Sequence, residues 1–291
     1  MARKPKMSQD ERRAYSAQMR ADLEAVMDRA YVGMVASEQL WAEVMRTAAV
    51  LPDRSPTNVV AIAAQCPGTT RVLSAGDWRK AGRHPAKGST SLRIWTPIKR
   101  RSAEAAEAPE GPGDAQQAPA EGAAEDGPRK VSGYKAGPVF DITQTEGDDY
   151  THPAPAALPA PAVRDVLITQ YRETYGEDPE TAGGFDFTQH APDNAARILL
   201  YGHAFRRINP ADALVPDQHA AEVASAAHVS ALMLGIAPGP AVMPPLAGII
   251  TGDKKPPVHG AAVRAIETGR AIADAVRPAV ESGTRELAMI G

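Results

Sequence analysis

Apolar residues recur at helical spacing near the start of the chain. One apolar stripe, at intervals of four, four, three and four, consists of Tyr15, Met19, Leu23, Val26 and Ala30. Ser8, followed three residues later by Glu11, has the pattern of a capping box and predicts where this first helix begins. Further helices are expected at residues 37–49, 57–65 and 75–81.

The pattern changes to alternation between residues 89 and 97, which predicts a β-strand. Arg93 and Trp95 fall on the same face of that strand. Residues 131–134 and 138–142 predict two further strands or one bent strand. Together these segments predict a small antiparallel sheet.

The second half of the chain is predicted to be mainly helical. Helical periods occur at residues 161–175, 193–208, 217–234 and 258–276. Pro278 is expected to end the last of these helices. The predicted inward face of the helix at 193–208 consists of Ile198, Tyr201, Phe205 and Ile208. A Pro/Ala-rich linker at residues 151–161 would then separate residues 1–150 from residues 162–291, in an α+β fold.

Composition limits the classes of protein that the chain can belong to. It has 291 residues, a formal net charge of −3 and a single cysteine, Cys66. The charge excludes a uniformly basic nucleic-acid binder, and one cysteine excludes an intramolecular disulfide and a thiolate zinc cluster. We therefore expect a cytoplasmic location, and no apolar run has the length of a membrane helix.

The charges are distributed unevenly. Residues 71–101 contain nine Lys and Arg and one acidic residue, Asp77, whereas residues 102–128 contain seven acidic residues and no basic one. The acidic stretch is also rich in Ala, Pro and Gly, which predicts a long disordered insertion. It is interpreted either as a passive insertion or as a segment that screens the basic stretch or competes with an anionic ligand.

Residues 55–97, followed by residues 133–147, contain an ordered series of motif residues. They are Ser55, Asn58, Gln65, Pro67, Thr70, Val72, Trp78, Gly82, Arg83, Lys87, Gly88, Ile94, Pro97, Val139, Phe140, Asp141, Gln144 and Thr145. With this series the chain resembles the N-terminal domain of the ArdC-type antirestriction proteins of plasmids and phages. That family has a helix of the form S-x-N-x-x-L-I-x-x-Q-x-P, then T-x-V, a W-x-x-x-G-R segment, K-G, an I-x-x-P strand and V-F-D-x-x-Q-T. The chain departs from the pattern at Pro85 and Ser89. The resemblance covers about residues 40–150 and implies a domain that binds single-stranded DNA without sequence specificity.

The family also has a second, zincin-like metallopeptidase domain with an H-E-x-x-H motif and a later acidic ligand. The helix at 198–208 falls at the place of that motif, but Tyr201, Gly202 and Phe205 stand where the two His and the Glu would be. Glu222 matches the position of the third ligand. Zinc chemistry of this kind needs two imidazoles four residues apart and a general base. The resemblance therefore implies a degenerate domain without catalytic residues, metal ligands or cofactor.

Candidate DNA-binding residues come from the basic stretch, because single strands are held by cationic grooves and aromatic faces. They are Asn58, Gln65, Arg71, Trp78, Arg79, Lys80, Arg83, Lys87, Arg93 and Trp95. Each basic residue could instead be an ordinary surface charge, and either tryptophan a core residue. The two amides share a helical face, where they could also cap local backbone.

Three functions remain open at this point. The first is binding of single-stranded DNA, with host restriction or nuclease proteins as further partners. The second is a metallopeptidase with an atypical site built from Glu222 and the histidines His190, His203, His219 and His228. The third is a protein module whose acidic stretch imitates DNA and inhibits a restriction enzyme. Cys66 is interpreted as a structural thiol, since no base is visible beside it.

Overall fold

The chain adopts an α+β fold in which a small antiparallel sheet lies among nine described helices. The computed structural model describes residues 7–101, 129–151, 155–251 and 255–290. The predicted acidic insertion at residues 102–128 lies outside the described residues. The helices are α1 Gln9–Met34, α2 Glu38–Val50, α3 Pro56–Gln65, α4 Ala75–Lys80, α5 Ala160–Tyr175, α6 Pro179–Gly183, α7 Pro192–Arg207, α8 Gln218–Leu234 and α9 Pro257–Ile290.

Five strands form two antiparallel sheets in the described part of the chain. The strands are β1 Val72–Leu73, β2 Arg83–Pro85, β3 Leu92–Arg101, β4 Arg129–Asp141 and β5 Thr145–Gly147. The first sheet has the order β1–β4–β3, and the second pairs β2 with β5. The predicted strand at 131–142 is a single strand, β4, which pairs with the whole of β3 apart from a bulge between Ile98 and Lys99. The sequence did not predict β2, whose three residues are too few for a visible alternation.

The N-terminal helices begin where their capping residues predicted. Ser8 and Glu11 form the capping box of α1, and Ser37 caps α2. The predicted stripe of α1 is correct only in its second half. Tyr15 is 53% exposed, because the first turns of α1 extend beyond the core that begins at Leu23.

The two halves of the chain share one hydrophobic core. Residues of α1, α2 and α3 are buried together with Val229 of α8 and Ile266 of α9. Trp41 Nε1 donates a hydrogen bond of 2.9 Å to Ser225 Oγ across this contact. Arg270 of α9 donates hydrogen bonds to the carbonyl oxygens of Ala48, Leu51 and Arg54 at the ends of α2 and the following loop. The division at residues 151–161 stays a prediction, with this core joining the segments on either side.

The last helix does not end at Pro278, as the sequence predicted, but continues through it to Ile290. A proline inside a helix costs about 3 kcal/mol because it removes one donor and crowds the preceding turn. Val276 and Val280, on either side of Pro278, are both buried in the core of the helical half. This burial on both sides offsets the cost of the proline.

Candidate nucleic-acid interface

Helix α3 is fixed to the outer edge of the sheet by two amide side chains. Asn58 Nδ2 donates to the carbonyl of Trp95 at 2.9 Å, and its Oδ1 accepts from the Trp95 N–H at 2.8 Å. Gln65 makes the same pair of bonds to Arg93, each of 2.9 Å. The two amides thus occupy the position of a neighbouring strand along β3. Their polar atoms are engaged with the β3 backbone, which differs from the predicted DNA contact. The alternative of local capping is met in part, since Gln65 Nε2 also donates to the carbonyl of Ala61 within α3 at 2.8 Å.

Removing either amide is expected to lower the free energy of unfolding by about 1–3 kcal/mol, because a half-buried N–H and C=O would lose their partners. The changes are Asn58→Ala and Gln65→Ala, measured by urea unfolding. Gln170→Ala is the matched control, since Gln170 is a half-buried glutamine that donates one hydrogen bond, of 3.0 Å, to Ala275 O at an exposed position. Equal losses in all three variants would contradict the structural role of the amides.

Trp78 is a core residue, as the alternative interpretation held. Its side chain is completely buried, and Nε1 donates to the carbonyl of Phe140 at 2.9 Å. The ring also meets Tyr150 edge to face, with 5.1 Å between ring centroids. A base has no access to its faces in this arrangement, so the prediction of a stacking platform at Trp78 is wrong.

Arg83 holds β2 against β5. Its Nε donates to Thr145 Oγ1 at 2.9 Å and its Nη2 to the Thr145 carbonyl at 2.8 Å, while Nη1 donates to the Asp148 carbonyl. These bonds direct the guanidinium toward the protein rather than toward solvent. Lys87 is exposed in the turn after β2, and Arg93 is half-buried on β3. None of Arg83, Lys87 and Arg93 lines either of the two clefts that lie across β3 and β4.

A basic groove does exist, beside the beginning of α3 and across β3 and β4. It consists of two adjoining clefts of about 660 and 1050 Å³, which share Arg54, Ile94 and Thr96. We define the basic groove by five cationic side chains on these two clefts, namely Arg54, Arg79, Lys80, Lys135 and Lys255. Two acidic residues, Asp53 and Asp77, also line the clefts.

The charges within the groove are only partly balanced. Asp77 Oδ1 lies 3.1 Å from Lys80 Nζ, and hydrogen bonds from Ser74 and Lys80 lower the pKa of Asp77. Arg54 donates one hydrogen bond of 2.7 Å to the Val72 carbonyl. Burial, followed by the nearby charge of Arg71, lowers the pKa of Arg54. Arg71 Nε is itself buried without a hydrogen-bond partner in the described part of the chain.

The exposed aromatic residue of the groove is Tyr134, which lies on β4 opposite Pro97. Its side chain is 60% exposed, so a face of the ring is accessible to a nucleobase. Trp95 also lines the groove, but it is half-buried, and Arg20 of α1 lies over its ring with 5.6 Å between Cζ and the centroid. Four of the candidate residues from the sequence line the groove, namely Asn58, Arg79, Lys80 and Trp95. The sequence prediction did not include Arg54, Tyr134, Lys135 and Lys255. Tyr134 could have been found from the alternation of β4.

The buried face of helix α7 differs from the face that the sequence predicted. Tyr201 and Phe205, expected to face inward, are 39% and 52% exposed. The buried face contains instead Ala195, Ala196, Leu199, Leu200, His203 and Ala204. The small alanines allow α7 to pack closely against its neighbours, which the aromatic rings would prevent. Tyr201 and Phe205, which stand at the two histidine positions of H-E-x-x-H, therefore point away from the interior.

The carboxylate of Glu222 forms a salt bridge with Arg264. The carboxylate is buried and accepts from Arg264 Nε at 2.7 Å and Arg264 Nη2 at 2.6 Å, and Gln218 Nε2 donates a third bond of 2.7 Å. The bonds to Glu222 raise the pKa of Arg264. This bidentate contact takes the oxygen atoms that a metal ion would need.

The histidines do not converge on Glu222. The bond partners of His203, His219 and His228 are the carbonyl oxygens of Leu167, Ile208 and Gly239 respectively. His190 stacks on Phe185. Across the residues that the structure describes, no three His, Cys, Asp or Glu side chains are grouped so that they could hold a metal ion. The residues present therefore do not fit a zinc site of the zincin type.

Cys66 is half-buried at the end of α3. Burial, followed by the charges of Asp141 and Glu43, raises the pKa of its thiol. A raised pKa disfavours the nucleophilic thiolate. This agrees with a structural thiol.

None of the described helices combines the length and the apolar character needed to cross a membrane.

Comparison with known proteins gives one similarity. No protein-family model matches the chain. No curated protein matches it either. Among solved structures, the chain is similar to a metal-free crystal structure of the antirestriction protein ArdC from plasmid R388. The identity is 14% and the TM-score 0.44, over 89% of this chain and 98% of that chain. A similarity at this TM-score carries no argument about function. The solved structure belongs to the same group of antirestriction proteins that the sequence motifs resemble.

Proposed function

We propose that the chain binds single-stranded DNA without sequence specificity, with the basic groove as its binding surface. The observation that carries the proposal is the convergence of five cationic side chains with the exposed ring of Tyr134 on two adjoining clefts. Phosphates would meet the cations, and a base would stack on Tyr134. Phosphates and the faces of bases are common to all nucleotides, so binding through these contacts would not depend on sequence.

In its biological setting, such binding would coat incoming plasmid or phage DNA and protect it from host restriction or nuclease proteins. This antirestriction role follows from the motif resemblance together with the groove. Inhibition of a restriction enzyme by the acidic stretch at 102–128 stays a prediction, because that stretch lies outside the described residues. The atypical metallopeptidase loses its support because Glu222 is paired with Arg264.

Replacing the exposed ring of the groove is expected to weaken binding by about 1–3 kcal/mol, the usual value of one base–aromatic stack. The variant is Tyr134→Ala in the full chain, titrated against a labelled oligothymidylate of about 16 nucleotides by fluorescence anisotropy. Tyr134→Phe should bind like the wild type, because it keeps the ring. Wild-type affinity should fall steeply with salt, as expected for phosphate contacts.

Tyr201→Ala serves as the matched control, because Tyr201 is also an exposed tyrosine but lies on α7, outside the groove. It should leave affinity unchanged. The proposed function fails if the wild-type chain shows no salt-sensitive binding. The role of the groove fails if Tyr134→Ala and Tyr201→Ala bind equally well.

A further inference from the structure

One cation of the basic groove comes from the opposite half of the chain. Lys255 lies directly before α9, yet it lines the same cleft as Arg54 and Tyr134. It is exposed, and it faces a groove otherwise built from residues before position 140. The boundary predicted at residues 151–161 therefore does not confine the candidate site to the N-terminal half.

A buried chain of hydrogen bonds holds Lys255 in this position. Its Nζ lies 3.1 Å from His259 Nε2, and His259 Nδ1 lies 2.8 Å from the hydroxyl oxygen of Tyr31 on α1. The rings of His259 and Tyr31 also meet edge to face, with 5.5 Å between centroids. Both His259 and Tyr31 are buried. A rigid support of this kind is unusual for an exposed lysine, which ordinarily keeps its rotamer freedom.

Only one arrangement of protons satisfies the chain of bonds. An ammonium group can only donate, so His259 Nε2 must accept from Lys255. The ring proton is then on Nδ1 and is donated to the Tyr31 oxygen. Burial, and secondly the charge of Lys255, lower the pKa of His259 to about 4, which keeps the ring neutral as this arrangement requires. Burial and the charge of Asp28 raise the pKa of Tyr31 and keep its hydroxyl protonated.

This contact orients Lys255 without neutralising it. Among the residues that the structure describes, the partner of Nζ is a neutral imidazole rather than a carboxylate, so the positive charge stays available to the cleft. Arg54 supplies a second cation on the same cleft, and Asp53 is its acidic member. The two cations could together bind one phosphodiester, and the exposed ring of Tyr134 could stack on the base of the same nucleotide.

We propose that Lys255 binds a phosphate of the single strand in this cleft, and that His259 and Tyr31 are positioning residues that act through it. This inference rests on the proposed function and adds to it a contribution from the C-terminal half. Its consequence is that both halves of the chain are needed for full affinity.

The test measures how the affinity of the full chain for the labelled oligothymidylate depends on salt. Each phosphate contact contributes about 0.7 to the slope of log K against log salt for a single strand. Lys255→Gln should therefore reduce the magnitude of the slope by about 0.7 and weaken binding several-fold. Arg207→Gln is the matched control, because it removes one positive charge from an exposed site on α7 that lies outside the groove.

The positioning role is tested by a double-mutant cycle. His259→Leu removes the acceptor but keeps the lysine, so it should weaken binding less than Lys255→Gln. The double variant should bind no more weakly than Lys255→Gln alone, because His259 acts only through Lys255. Circular dichroism checks that His259→Leu is folded, and Tyr31→Phe replaces it in the cycle if it is not.

The outcomes separate the two proposals. Loss of salt-sensitive binding in the wild type would overturn both. If the wild type binds but Lys255→Gln and Arg207→Gln give the same affinity and slope, the proposed function survives and Lys255 is not a phosphate contact. If the losses of Lys255→Gln and His259→Leu add in the double variant, the positioning role of His259 is wrong.

Discussion

Replacing Arg264 with alanine is expected to lower the free energy of unfolding by about 3–5 kcal/mol, since it leaves a buried carboxylate without its partner. The side chain of Glu222 is only 2% exposed, so its carboxylate would lose two charge-assisted hydrogen bonds at a buried position. Gln218 would be left as its remaining side-chain partner. Urea unfolding at neutral pH measures the loss.

Replacing the carboxylate instead of the guanidinium provides the control. Glu222→Gln removes the buried charge, and the side chain of Arg264 is 28% exposed, so its guanidinium can reach water. We therefore expect a smaller loss than for Arg264→Ala. The double variant Arg264→Met with Glu222→Gln should recover much of the stability, because no buried charge remains. If Glu222→Gln is as unstable as Arg264→Ala, the buried charge is not the cause.

Truncating Trp78 is the second change with a large expected effect. Trp78→Ala should destabilise the chain by about 3–5 kcal/mol, because it leaves a cavity where a fully buried indole packs and removes the donor to the Phe140 carbonyl. Trp78→Phe keeps most of the volume and loses the hydrogen bond, so a smaller loss is expected. Thermal and urea unfolding compare the two variants.

The same pair of variants separates a core role from a stacking role. Folded Trp78→Phe protein should bind the oligonucleotide with wild-type affinity and salt dependence, because the ring is not part of the basic groove. A stacking role would give the opposite result, with weaker binding and little change in stability. That outcome would restore Trp78 to the interface.

Local signals predicted the elements of the fold better than their packing. The capping box of Ser8 and Glu11 predicted correctly where α1 begins, because its two residues are only three positions apart. The predicted face of α7 was wrong because the large aromatic residues Tyr201 and Phe205 dominate the apolar pattern but lie on the exposed side. The buried side combines Leu199 and Leu200 with alanines and a histidine, whose contribution to such a pattern is small. The pairing of β2 with β5 joins residues that are sixty or more positions apart, so neither strand can be recognised from its own sequence.

Only those residues of the candidate site that lie close together in the sequence could be predicted from it. Arg79 and Lys80 lie together on α4 and were named from the charge of their segment. Arg54, Lys135 and Lys255 reach the groove from three separate segments, and no spacing along the sequence joins them. Asn58 and Gln65 were correctly placed on one helical face, but their partner is the backbone of β3, which only the assembled fold reveals.

The side-chain bonds at the rim of the sheet have a consequence for recognition. Asn58 and Gln65 occupy the outer edge of β3, and Arg54 donates to the Val72 carbonyl on β1 at the opposite edge. An exposed edge is where an extended peptide adds a strand and where aggregation starts. The three-stranded sheet is thus protected against augmentation by another chain at these positions. A partner is therefore directed to the surface of the sheet and away from its hydrogen-bonding rim.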